Sequence, residues 1–429
     1  MNEKLLQFIW RYRLLQNQHT LRTTDGEPVL ILHPGIQNTH AGPDFTEARI
    51  RIGNTLWVGL VELHLKSSDW RRHHHQNDPG YNKLILHVVF EQDEEIKTHD
   101  DSRFPTLELK SHIPADIHQR YHQLMQHHRF IPCEKHWNSF HELERSACID
   151  RMQSERLEYR CRQLLPLLQA SASHWEDLLY RSLARSFGMH INQDAFEHLV
   201  NHLPYRLLQK YGSSLLKTEA LLFGQAGFLD QTFSEEYPRQ LQTEYHYLKS
   251  LHSLSSIPVH HWKFLRLRPA NFPTLRLAQF AVLIPNMPSL VEAMLESGSL
   301  HKILALLHTH PSVYWQTHYT FQQACRNKQP RTGTHFLHGL VINTLVPFLF
   351  LYGKSNGREQ DCTRALEWMQ QIPAEQNHIV SGWEKTGFRA RTAGDTQALL
   401  HLKKEYCDRK RCLDCSLGYS LLRNRHRPV

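Results

Sequence analysis

The apolar residues of this chain change period once, and that change limits the folds open to it. Up to about residue 110 they alternate, as in Ala48, Ile50 and Ile52 set against Arg49 and Arg51. From Ile117 onward they recur every third and fourth residue. Alternation builds strands with one buried face, and the longer period builds helices with one buried stripe. The expectation is an α+β chain, with a sheet domain over residues 1–115 and a larger all-α domain over 116–429.

The first part opens with an amphipathic stretch over residues 3–18, in which Leu5, Phe8, Ile9, Tyr12 and Leu15 share a helical face. Asp25-Gly26 is a hairpin turn signal, His33-Pro34-Gly35 ends a strand, and a polar loop leads to Asp44. Gly53-Asn54 turns the chain into a strand read from its period. Val61, Leu63 and Leu65 lie on one face, and Glu62, His64 and Lys66 on the other, with same-face neighbours about 7 Å apart. Asp69 to Tyr81 is polar and reads as a short helix or a lid loop. Lys83 to Phe90 is nearly all apolar, as befits a strand covered on both faces. Phe104 to Lys110 gives one further strand.

Asp44, Glu62, His64 and Lys66 are the candidate catalytic residues. Two carboxylates and a base on adjacent strands suit a divalent cation and an oriented water, and clustered titratable groups mark sites. A polar strand face is also the ordinary condition of an antiparallel sheet, and Pro-Asp is common in turns. His75 and His87 are candidate further ligands, because imidazole suits several transition metals and a histidine inside an apolar strand needs a partner. His73 and His74 read as solvated loop residues.

Cys407-x4-Cys412-x2-Cys415 is a second cluster, and Cys133 is the candidate fourth ligand of a tetrahedral site for Zn2+ or an iron–sulfur centre. Reduced cysteines beside a packed helix are the plainer reading. Arg266, Arg268 and Arg276 alternate with Trp262, Phe264 and Phe272, a mixture that suits phosphates and stacked bases but equally a helix corner. The 429 residues carry a net charge of +8 and 33 histidines, which permits a polyanionic partner. No apolar run reaches the length of a membrane span and the first fifteen residues do not read as a cleavable leader, so no membrane association and a cytoplasmic location are expected. Oligomeric state is not encoded in these patterns.

The Asp44, Glu62, His64, Lys66 row resembles the active site of the PD-(D/E)XK nucleases. Those proteins place an Asp at the start of one strand and Glu-x-Lys on the next, around a restriction-endonuclease-like sheet. The resemblance implies Asp44 and Glu62 as ligands of Mg2+ or Mn2+, with His64 standing in the Lys position and Lys66 two residues on. One upstream Cys followed by three near the C-terminus is similar to the iron–sulfur staple of some RecB-like nucleases. Over nearly its whole length the chain also resembles a bacterial domain-of-unknown-function family, through HPG at 33–35, AGPDF at 41–45, VELHLKSSDW at 61–70, RLRPANFPTLRLAQ at 266–279 and CLDCSLG at 412–418. The implied function is a divalent-metal-dependent nuclease or nuclease-like nucleic-acid processing protein. The alternatives are a non-catalytic nucleic-acid-binding or scaffold protein on a degenerate nuclease fold, and a His-rich metallohydrolase of a small substrate.

Overall fold

The computed structural model describes residues 1–97, 104–126, 128–171, 174–325 and 332–423. The chain forms an N-terminal mixed sheet followed by many helices, and it divides into two compact units. The first takes Met1–Asp150, Ser381–Phe388 and the segment from Leu400; the second takes Arg151–Val380 and Arg389–Leu399. This division differs from the expected boundary at 115, because C-terminal segments pack with the first unit. Trp383 and Phe388, for example, meet Trp137 at 5.0 and 5.7 Å between ring centres.

Helix α1 (Glu3–Arg11) starts where Asn2 Oδ1 accepts from the Leu5 N–H at 2.9 Å, satisfying one of the free amides of the first turn. It buries Leu5, Leu6, Phe8, Ile9 and Trp10, each worth about 1.5–3 kcal/mol relative to exposure, and packs on β4. It is shorter than its apolar period suggests, since Arg13 adopts φ +49° and turns the chain away.

The sheet consists of β1 (Val29–His33), β2 (Ile36–Gln37), β3 (Phe45–Ile52), β4 (Thr55–Lys66), β5 (Leu84–Glu91) and β6 (Thr106–Glu108). Its order is β1-β3-β4-β5-β6, with β2 on β3. β1, β3 and β4 pair antiparallel, whereas β4, β5 and β6 run parallel. The crossover from β4 to β5 contains the four-residue helix α2 (Asp69–Arg72) and two short 3-10 turns. Instead of the expected hairpin, Asp25-Gly26 makes a tight turn joined by one isolated bridge, Arg22 to Pro28.

A bulge in β3 sets the side-chain directions. Phe45 pairs with Val61 but Ala48 pairs with Gly59, so β3 holds one extra residue, and Glu47 takes φ +56° there. Without the insertion Asp44 and Arg49 would face opposite sides of the sheet. With it, Asp44, Arg49 and Arg51 all share the face of Glu62 and His64.

The second unit is helical, apart from a two-stranded ribbon at His318–Thr320 and Gln323–Ala324. Helices follow the apolar period closely: Trp175–Phe187, Leu215–Gln225, Glu236–His252 and Pro273–Leu283 are examples. Their core includes Tyr180, Phe187, Phe196, Phe223, Phe280, Trp315 and Trp368. Two continuous helical stretches, Pro273–Glu296 and Thr334–Ser355, are long and apolar enough to cross a membrane, contrary to the expectation from the sequence. Both are mostly buried within the unit, which accounts for their composition. The second passes Pro347 without breaking because a π turn at Val341–Leu345 precedes it.

Candidate metal centre

Asp44 is delivered by the β2–β3 loop, which Asn38 organises. Its N–H donates to the Asp44 carbonyl at 2.7 Å, and its amide side chain donates to the Pro43 carbonyl at 3.1 Å. Just before β2, Gly35 at φ +101° passes so close to the Thr46 carbonyl that a Cβ would stand 2.7 Å from its oxygen. The Asp44 N–H donates to Glu62 Oε2 at 2.9 Å. Asp44 Oδ2 accepts from the Leu63 N–H at 3.1 Å, and Oδ1 from Gln7 Nε2 at 2.7 Å. The two acidic side chains therefore meet, as their strand positions predict. Burial pushes both carboxyls well above the usual range, and Asp44 adds to the effect on Glu62.

The other oxygen of Glu62 faces imidazoles. Oε1 lies 3.5 Å from His64 Nε2 and 3.4 Å from His75 Nε2. Both nitrogens are buried and have no hydrogen-bond partner among the described residues. Ligands 2.0–2.1 Å from one tetrahedral ion stand about 3.4 Å apart. Glu62 Oε1 thus stands at a cation-bridging distance from each of these two imidazole nitrogens, while the ligand atoms within a mutual 4.8 Å are those of His64, His73 and His75. His73 joins them: its imidazole lies 5.0 Å from that of His64, and one ligand atom from each of His64, His73 and His75 fits within a mutual 4.8 Å. Of the two histidines that read as solvated, His73 is exposed yet belongs to the group, beside the candidate ligand His75.

His87 stands behind this group instead of within it. From β5, its Nε2 lies 2.9 Å from His64 Nδ1. Burial lowers His64 to about 2 and His87 to about 3, so both rings are neutral and the contact holds one proton. In the tautomer with that proton on His64 Nδ1, His64 Nε2 presents its lone pair to the site. Trp70 forms a floor, with ring centres 5.3 Å from His75 and 5.4 Å from His87, and Tyr81 stacks on His75 at 4.0 Å.

Lys66 is placed elsewhere. At the end of β4 its side chain is 57% exposed, and its ammonium lies 3.7 Å from Asp93. That loop is fixed by Asp93, which accepts from the Ser68 N–H at 3.0 Å and the Ser68 hydroxyl at 2.8 Å.

The family described as "Protein of unknown function (DUF2851)" matches residues 3–378. The chain belongs to that family. The match takes in the whole sheet and the acidic, His-rich site, and it ends before the last three cysteines. No curated protein and no solved structure matches the chain.

The remaining candidates separate. Arg276 is buried, not poised for a nucleic acid: its guanidinium donates to Gln279 Oε1 at 2.8 Å and Asn271 Oδ1 at 2.7 Å and lies 3.5 Å over the Phe336 ring. Burial lowers its pKa to about 10. Helix Pro273–Leu283 turns that arginine inward, while Arg266 and Arg268 stay exposed on the preceding loop. Cys133, Cys407, Cys412 and Cys415 all fall in the first unit, together with Cys148.

Proposed function

We propose that this protein is a divalent-metal-dependent nuclease, or a nuclease-like protein that processes nucleic acid. The carrying observation is the convergence of two unpartnered, buried imidazole nitrogens, His64 Nε2 and His75 Nε2, on Glu62 Oε1 beside Asp44. The order of elements supports the reading: a helix, three antiparallel strands, a short helix and a parallel strand, with Asp before one strand and Glu on the next. That is the arrangement the PD-(D/E)XK resemblance implies.

A divalent cation at such a site lowers the pKa of a bound water and neutralises charge on a phosphate oxygen. Glu62, His64 and His75 would hold Mn2+ or Mg2+, the imidazoles favouring the softer of the two. His87 fixes the His64 ring, and Asp44 holds the Glu62 carboxylate from below. His64 fills the place that the nuclease pattern gives to Lys, and Lys66 has no part in the chemistry. Arg49 and Arg51 continue the same sheet face outward, exposed and without ion pairs among the described residues; they lie about 13 and 20 Å from Glu62 along the strand. Phosphates flanking a scissile bond are suitable partners for them.

The test is cleavage of end-labelled DNA and RNA with Mg2+ or Mn2+, comparing the natural chain with Glu62→Gln and His64→Ala. Metal-dependent cleavage that both substitutions abolish, with binding retained, supports the reading. Salt-sensitive binding with no cleavage under any cation assigns the chain to non-catalytic binding on a degenerate fold. A second reading, a metallohydrolase of a small substrate, draws on the three-imidazole group His64, His73 and His75, a donor set that suits zinc. Turnover of small phosphoesters but not of polynucleotides would favour it.

A further inference from the structure

The second unit holds a small cavity whose walls offer more hydrogen-bond donors than acceptors. It lies between the helix Glu142–Ala170, the helical stretch Thr334–Ser355, and the helices Glu359–Gln371 and Ala393–His401. Leu157, Ile342, Pro347 and Met369 form its apolar wall. Gln153, Arg156, Arg160 and Gln397 bring the polar groups. Its volume of about 10 Å3 admits one body the size of a water molecule.

Hydrogen bonds fix which way the two amides point. The Thr392 hydroxyl accepts from the Asp395 N–H at 3.2 Å and donates to Gln370 Oε1 at 3.1 Å. Gln370 Nε2 in turn donates to Gln153 Oε1 at 3.2 Å. Gln153, only 5% exposed, is left with a buried amide nitrogen that has no acceptor among the described residues. Gly394 makes room for that nitrogen, since a Cβ there would stand 2.9 Å from it. On the other side Glu375 accepts from Gln397 Nε2 at 2.5 Å, so Gln397 Oε1 accepts from Arg156 Nε at 3.2 Å.

Arg160 adds a charge with no acid to balance it. It donates to Gln163 Oε1 at 3.4 Å and to the Asn343 carbonyl at 3.1 Å, and it forms no ion pair among the described residues. Burial, with Arg156 and Arg185 nearby, lowers its pKa to about 10, so the guanidinium keeps its charge at neutral pH. A buried cation without a counter-charge is costly.

A water molecule would answer this environment poorly. It would accept from Gln153 and a guanidinium, but its own protons need oxygens. Those of Gln153, Gln397 and Asn343 already serve Gln370, Arg156 and Arg160. An anion only accepts, and it supplies the missing charge. The volume leaves no space for a whole tetrahedral oxyanion. We propose that this cavity binds a single chloride ion, held by Gln153 Nε2 and the guanidinium groups of Arg156 and Arg160. The site is independent of the nuclease reading, and no assay of activity enters its test.

The experiment replaces sodium gluconate by sodium chloride at constant ionic strength, follows the thermal midpoint of the full chain, and determines a crystal structure grown with bromide for its anomalous scattering. The midpoint is expected to rise with chloride along a saturating curve. One bromide is expected beside Gln153 Nε2 and Arg160. Gln153→Leu and Arg160→Gln, checked for folding by circular dichroism, are each expected to weaken chloride binding about tenfold or more. Should a variant not fold, the anomalous map of the natural chain still decides. A midpoint indifferent to the anion overturns the proposal, as does a water in the cavity in place of bromide. A bromide peak without a saturating response in solution marks an adventitious ion only and overturns it too. An unchanged chloride response in both folded variants places the ion elsewhere and has the same force.

Discussion

Asp44 and Glu62 hold each other through crossed hydrogen bonds: the Asp44 N–H donates to Glu62 Oε2 at 2.9 Å, and Asp44 Oδ2 accepts from the amide that follows Glu62, that of Leu63, at 3.1 Å. The pair is thus locked across two antiparallel strands. Glu62 spends one oxygen on this lock and turns the other toward His64 and His75. In the proposed site Asp44 would therefore act chiefly by fixing Glu62, and the imidazoles would supply the remaining donors.

The lock depends on the extra residue in β3. Glu47 sits at φ +56°, a conformation in which a β-branched side chain is strained. Glu47→Gly is expected to leave the denaturant midpoint nearly unchanged. Glu47→Val is expected to cost about 1–3 kcal/mol in the same titration and to weaken metal binding along with it.

His87 works through His64. His87→Ala removes the partner of His64 Nδ1 at 2.9 Å and frees the ring to turn. The expected result is a 10–100-fold loss of metal affinity by calorimetric titration, with the fold retained. An unchanged affinity would place His64 outside the coordination sphere.

Much of this site could be read from the sequence, and the reasons for the misses are physical. Period two on β4 puts Glu62 and His64 on one face, and an Asp before the neighbouring strand completes the pair. Nothing in the pattern shows the β3 bulge, since Glu47 is not a residue type that signals φ > 0. His73 misled for a related reason: solvation is the default for a run of loop histidines, and only the crossover from β4 to β5 folds His73 back, with His75, over His64. Lys66 shares the right face but overshoots the site and meets Asp93. Arg276 reads as part of a basic, aromatic loop, yet it is the third residue after Pro273 begins a helix, and that turn carries it into the core. Nothing in the spacing draws attention to Cys148, whose neighbours Cys415 and Ser416 lie more than 250 residues away.

Arg49 and Arg51 lie beside Val58 and Leu56 on the open part of the sheet. The double variant Arg49→Ala/Arg51→Ala is expected to weaken binding of single-stranded and duplex polynucleotides alike. The slope of log affinity against log salt should become shallower by about 1.4–1.8, two phosphate contacts' worth. An unchanged slope would remove this face from the binding surface.

Glu219 gives the second unit a dependence on pH. It is fully buried, with Oε2 accepting from the Tyr237 hydroxyl, from the Ser312 hydroxyl at 3.2 Å and from Trp315 Nε1 at 3.3 Å. Burial raises its pKa to about 7 from the ordinary 4.5. Below about pH 4.5 the group is protonated in both folded and unfolded chains and makes no difference. As pH rises toward 7 the unfolded chain ionises first, so stability falls, and above 7 the loss levels off at about 3 kcal/mol. Denaturant titrations between pH 5 and 8 should show a shallower decline in Glu219→Gln than in the natural chain, the remainder coming from the raised carboxyls of Asp44 and Glu62.

The most direct test of the central claim is a titration of the metal-free chain with Co2+, followed by its visible absorption, beside the same titration of Glu62→Gln and of His64→Ala/His75→Ala. The prediction is a site whose spectrum reports nitrogen and oxygen donors, distinct from the charge-transfer bands of cobalt on cysteine thiolates, tightening as pH rises because the raised carboxyls must lose protons to the cation, and lost in both variants. A natural chain and variants that bind cobalt alike at the same affinity would contradict the account.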